Sequence, residues 1–228
     1  MNDIEPHVPV HRGRAIVHLL RHGEVENPTG VLYGRLPDFH LSERGRAMAE
    51  RLGEHLADAD LTHLRCSPLE RAQETMAPVS AQHPDLQVVT DDRVVESANL
   101  LQGRVMSAKK SALRDPRMWW LLRNPTRPSW GEPYTEIVVR MRAAILDSAI
   151  AADGHEALIV SHQLPIWMAR CDAVGRRLVH DPRRRQCTLA SLTSMTVIDG
   201  RVVNVAYSEP AVDLLPAKGK GRQFVAGA

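Results

Sequence analysis

The segment "LLRHGEVENP" at residues 19 to 28 ends an apolar run with a cation, an imidazole and a glycine, Arg21, His22 and Gly23. A strand that stops this way places groups able to hold an anion, and a nucleophile, next to a residue that lets the backbone approach a neighbour closely. Two more points have the same character. "LTHLRCS" at 61 to 67 is followed by Arg71, and "ALIVS" at 157 to 161 is followed directly by His162. Two arginines and two histidines brought to one point repel each other unless an anion lies among them. Phosphate suits best, because guanidinium forks match its oxygens in bidentate geometry. Positive neighbours also disfavour the imidazolium form, which leaves a histidine neutral and nucleophilic near neutral pH.

These residues need strands that run side by side. Short β-branched runs, "AIVHLL" at 15 to 20, "LQVV" at 86 to 89, "ALIV" at 157 to 160 and "LTSMTVI" at 192 to 198, alternate with amphipathic segments, which is the rhythm of an α/β sheet. In open α/β folds, ligands bind beyond the carboxyl ends of the strands. Asp199-Gly200 suits a tight hairpin into "RVVNVAY", so the sheet is expected to end in an antiparallel pair. Helices are expected from Ser42, from Ser67 (N-cap, with Pro68 and Glu70 completing a capping box), from near Thr135, and after Pro165. An arginine just inside a helix N-terminus, as Arg71 would be, faces the wrong end of the dipole unless an anion is its partner.

The combination of "RHGE", "SPLERAQET", the acid Glu96 in "RVVESANL", and "LIVSH" resembles the histidine phosphatase, or phosphoglycerate mutase-like, superfamily over roughly residues 14 to 210. The resemblance implies a three-layer α/β/α sandwich with a mostly parallel central sheet and an insertion over the active site. It also implies a two-step reaction through a phosphohistidine, with no metal and no cofactor. His22 would be the nucleophile, Arg21, Arg71 and His162 the phosphoryl ligands, and Glu96 the proton donor. Asn27, five residues after His22, would be a further phosphate ligand. Gln163 stands where the family usually has glycine, and its amide could narrow the pocket or touch substrate. Glu24, the nearest rival acid, follows the glycine turn and is read as a local hydrogen-bond partner.

Composition narrows the partners. The 228 residues, 43% hydrophobic with a net charge of +2, fit a single domain that needs neither nucleic acid nor an anionic membrane. No apolar run approaches a membrane span, and "MNDIEPHVPVHRGR" lacks the core of a signal peptide, so a cytoplasmic protein is expected. Cys66, Cys171 and Cys187 are too scattered for a zinc or redox motif and read as reduced, buried thiols. Residues 97 to 132 read as an insertion, with three tryptophans and seven Lys or Arg against one acid between 99 and 130, and residues 211 to 228 as a loose tail. Arg183, Arg184 and Arg185 read as a solvated basic loop.

A cysteine phosphatase fails on spacing, since Arg71 is five residues after Cys66 with a proline between, and no G-x-S-x-G or G-K-[ST] is present. His18 and His22 flank a strand end and are too far apart to chelate one ion. The expected activity is metal-independent hydrolysis of a small phosphorylated substrate. Mutase-type phosphoryl transfer and a catalytically weak phospho-ligand-binding protein are the alternatives, and oligomeric state is open, a homodimer included.

Overall fold

The computed structural model describes residues 13–105 and 131–215, and every structural statement below concerns these. Six strands form one sheet: β1 (Arg14–Arg21), β2 (Leu61–Cys66), β3 (Val88–Thr90), β4 (Glu156–Ser161), β5 (Leu192–Ile198) and β6 (Arg201–Ser208). The order is β3-β2-β4-β1-β5-β6. β2 pairs in parallel with β3 and β4, and β4 with β1, whereas β5 is antiparallel to both its neighbours. Strand β5 is therefore the one reversed strand of the six. The expected hairpin joins β5 to β6 through Asp199 and Gly200, both at positive φ (49° and 75°), the pair of left-handed residues that a twisted two-residue turn requires.

Helices α1 (Glu43–His55) and α2 (Glu70–Gln82) cover one face, and α3 (Tyr134–Ala152) and α4 (Gln163–Ala173) the other. The alternation of β4 divides the core between them. Ala157 and Ile159 pack among Ile137, Met141, Ile145 and Met168, while Leu158 and Val160 pack among Met48, Leu52, Ala72 and Met76. The result is the expected three-layer α/β/α sandwich. Ser42 caps α1 by accepting from Gly45 N–H at 3.0 Å.

The expected capping box at Ser67 does not form. Helix α2 starts later, at Glu70, behind Leu69 with no side-chain cap: the Ser67 N–H that Glu70 would have to reach is taken by Val160 O at 3.0 Å, and the Ser67 hydroxyl meets Leu69 N–H and His162 instead of Glu70 N–H. Helix α4 starts earlier than expected, at Gln163, with Pro165 in its first turn. All three cysteines are buried and free.

The feet of the insertion are pinned by bridges between Val31 and Val105 and between Asn99 and Gly131. Residues 106–130, with Trp119, Trp120 and Trp130, lie outside the described residues, as do 216–228. Residues 211 to 215 pack back, Ala211 buried against the α1–α2 layer with Leu214 and Leu215 beside it. None of the described helices is long and apolar enough to cross a membrane.

Candidate active site

Parallel register assembles the site. Arg21, the last residue of β1, lies opposite Ser161, the last of β4, and His22 N–H donates to Ser161 O at 3.2 Å. On the other side of β4, Cys66 lies opposite Val160, whose carbonyl accepts Ser67 N–H at 3.0 Å. Three adjacent strands thus deliver His22, His162 and Ser67 to one edge. The two imidazoles stand 5.1 Å apart between ring centroids, and Arg71, the second residue of α2, is fully buried beside them. Glu96 arrives by another route, from the short 3-10 turn Asp92–Val94 after β3, which is tied to β4 by Ser161 Oγ donating to Val94 O at 2.7 Å.

Each of these buried side chains is held by part of its polar surface and leaves the rest without a partner. Arg21 Nη1 donates to Cys187 O at 2.7 Å, and Arg71 Nη2 to Gly34 O at 2.6 Å, leaving Nε and Nη2 of the first and Nε and Nη1 of the second unpartnered. His22 Nδ1–H donates to Gly23 O at 2.8 Å, which leaves Nε2 as an unengaged lone pair. His162 Nε2 meets Ser67 Oγ at 2.7 Å and its Nδ1 has no partner. Ser67 Oγ accepts Leu69 N–H at 3.4 Å, and among the described residues His162 Nε2 is the acceptor within reach of its own proton. His162 is then a donor at Nδ1. Glu96 Oε1 accepts Ser97 N–H at 2.7 Å and Oε2 is unpartnered.

The electrostatics follow from burial. His22 and His162 are pushed well below the ordinary imidazole value, first by desolvation and then by the Arg71 guanidinium, with Arg21 adding to both. Desolvation raises the Glu96 carboxyl despite the Ser97 amide and the Arg71 charge. The site therefore offers a neutral imidazole, fixed cations and a carboxyl that tends to keep its proton.

The other expected participants also bond within the protein. The Asn27 side chain closes its own loop, Nδ2 donating to Val31 O at 2.8 Å and Oδ1 accepting Val31 N–H at 3.0 Å, so both amide atoms serve the backbone. Gln163 stands at the rim, its Nε2 donating to Cys187 O at 3.3 Å. Glu24 is local as expected, bound to Ser42 Oγ at 2.8 Å and Arg44 at 3.1 Å. The closeness that Gly23 permits is to helix α1 and not to a ligand, since a Cβ there would lie 2.7 Å from Gly45 O. Three residues were not anticipated. Ser67 orients His162. Tyr33, buried, stacks its ring under Arg71 at 4.7 Å. Arg185 leaves its exposed neighbour Arg184 and turns inward, which corrects the reading of 183 to 185 as a solvated run.

The family model of the histidine phosphatase superfamily (branch 1) matches residues 17–210. This chain belongs to that superfamily. Within it, the uncharacterized protein Rv0525 of Mycobacterium tuberculosis is 54% identical over 195 residues, 86% of this chain and 96% of that protein. Phosphoserine phosphatase 1 of Hydrogenobacter thermophilus is 27% identical over 192 residues, 75% of this chain and 89% of its own. Among solved structures, YhfR of Bacillus stearothermophilus superposes with a TM-score of 0.72 at 24% identity, covering 86% of this chain and 99% of its own, a likeness of fold. Relatives in the histidine phosphatase superfamily carry the names of phosphatases and of a phosphoglycerate mutase.

Proposed function

We propose that this protein is a metal-independent phosphomonoesterase of the cytoplasm that hydrolyses a small phosphorylated substrate through a phosphohistidine. The observation that carries the reading is the set of buried polar atoms without partners on Arg21, Arg71, His22, His162 and Glu96. A buried donor or acceptor left unmade costs about 1–3 kcal/mol, so such a set is consistent with a ligand that satisfies them together. A phosphoryl group matches it: acceptor oxygens for two guanidinium forks and for His162 Nδ1–H, and phosphorus for the His22 lone pair.

In the first step His22 Nε2 forms a bond to phosphorus as the ester P–O bond breaks, and the leaving oxygen takes the proton from Glu96 Oε2. In the second, water attacks phosphorus, its proton passes to the Glu96 carboxylate, and the P–N bond breaks to release inorganic phosphate. The Gly23 carbonyl that holds Nδ1–H stabilises the positive charge that develops on the ring.

Hydrolysis of p-nitrophenyl phosphate in excess EDTA, with His22→Ala run in parallel, tests this. Activity in the natural protein alone is the expected result. Silence together with phosphoryl transfer to His22 from a bisphosphate donor would identify a mutase and overturn hydrolysis. Silence in both assays, with phosphate still bound, would reduce the protein to a phospho-ligand binder.

A further inference from the structure

Arg185 is half-buried, and no ion pair to it is found among the described residues. Its Nε donates to His180 Nε2 at 2.8 Å and its Nη1 to Gln163 Oε1 at 3.1 Å, both neutral acceptors. The arrangement is fixed from behind. His180 Nδ1–H donates to Leu178 O at 2.6 Å, which sets the tautomer that leaves Nε2 free to accept, and the ring lies between Tyr134 and Trp167 at 5.8 and 5.7 Å. Gln163 in turn donates to Cys187 O, the carbonyl that also accepts Arg21 Nη1. One chain of hydrogen bonds therefore runs from the arginine expected to hold phosphate to Arg185. The remaining nitrogen, Nη2, makes no hydrogen bond with any described residue.

The charges nearest Arg185 sharpen the point. Arg183 takes Asp181 at 2.8 Å. The acid close enough to act on Arg185 is Glu96, which the proposed mechanism requires to be protonated and neutral when substrate binds, and Arg21 adds repulsion. A guanidinium drawn inward, oriented by two neutral acceptors and left without a counter-charge is built to receive an anion.

We propose that Arg185 is a specificity residue that binds a second anionic group, a carboxylate or another phosphoryl group, carried by the substrate beside the phosphate to be transferred. This rests on the phosphate pocket of the proposed function. A merely structural Arg185, bracing Gln163 and His180, would affect charged and neutral substrates alike.

The test uses pairs that differ only in that anion. kcat/KM is measured for 3- and 4-carboxyphenyl phosphate against the matching carbamoylphenyl phosphates, and for benzene-1,3-diyl bisphosphate against phenyl phosphate. In parallel, dissociation constants are measured by calorimetry for 4-carboxybenzylphosphonate and 4-carbamoylbenzylphosphonate, which need no turnover. A charge-assisted hydrogen bond predicts that the preference for the charged partner falls by about 10- to 100-fold in Arg185→Met. Arg185→Lys should keep a large part of it. Arg185→Gln, which keeps hydrogen-bond donors but carries no charge, should also abolish the preference, so misfolding of one variant does not decide the matter. Whichever series loses its preference identifies the anion. Equal losses on charged and neutral partners, or no preference in the natural protein, would overturn the inference while leaving hydrolysis intact. Arg185-dependent phosphonate binding without turnover of any ester would do the reverse.

Discussion

Ser67→Ala isolates one hydrogen bond at the heart of the site. The hydroxyl lies 2.7 Å from His162 Nε2, its one acceptor among the described residues, and by donating there it keeps the imidazole proton on Nδ1, the atom that faces the proposed phosphoryl group. Removing it leaves a buried ring nitrogen with no partner, at a cost of about 1–3 kcal/mol that the ring can avoid only by moving its proton or rotating. Either escape takes the Nδ1 donor away from the transferring phosphate. If that loss appears in the transition state, kcat/KM falls by about 5- to 150-fold. The assay is steady-state hydrolysis of p-nitrophenyl phosphate, accompanied by nitrogen-15 spectra of the imidazoles, in which the His162 signals should change from the Nδ1–H pattern while those of His22 stay as they are. A loss of activity with unchanged His162 nitrogens would make Ser67 a packing residue. Activity within twofold of the natural protein would refute the tautomer argument itself.

Glu96→Ala is expected to slow esters with poor leaving groups, such as alkyl phosphates, by at least 10-fold more than p-nitrophenyl phosphate, about the least contribution expected of a general acid; equal losses on both would remove Glu96 as the acid. Inorganic phosphate at about 100 times its dissociation constant should stabilise the fold by about 2.7 kcal/mol, read as a rise in melting temperature that Arg71→Met abolishes; an unchanged melting temperature in the natural protein would contradict an anion pocket. The two depressed histidines bind fewer protons folded than unfolded, so they withdraw stability as pH falls below their ordinary value near 6.5. Glu96, raised, works oppositely and withdraws stability as pH rises above its unfolded value of 4.5. Glu96→Gln should therefore steepen the fall in urea midpoint as pH drops from 6.5 to 4.5, and a shallower fall would refute the assignment of these shifts.

What could be read from the sequence was whatever depends on period and register. The strands before Arg21, Ser67 and His162 announce themselves by apolar runs, and once β2, β4 and β1 are parallel neighbours their last residues must meet. "SPLE" satisfies a local capping rule, but the Ser67 N–H is held by Val160 of the neighbouring strand and its hydroxyl faces a residue 95 positions away. Tertiary competition of that kind leaves no local trace. Asn27 is suggested by motif spacing, whereas its closure of the 27–31 loop is a short-range amide-to-backbone contact that the motif does not reveal. Arg185 was invisible for a different reason. Three consecutive arginines look alike on paper, and only the fold of 180 to 187 against the start of α4 decides which one turns inward.

The contact between Gly23 and helix α1 has a consequence for anyone altering this protein. Gly45 lies in the first turn of α1, where replacing glycine with alanine is a standard route to a steadier helix, gaining about 1 kcal/mol from propensity alone. Here the added methyl would sit 2.0 Å from Glu24 O, on the backbone that carries His22. The two glycines behave as a hinge pin and its socket, machined to one clearance. A substitution chosen to strengthen the scaffold would be transmitted directly to the nucleophile, so searches for a hardier variant should begin on the opposite layer, along α3.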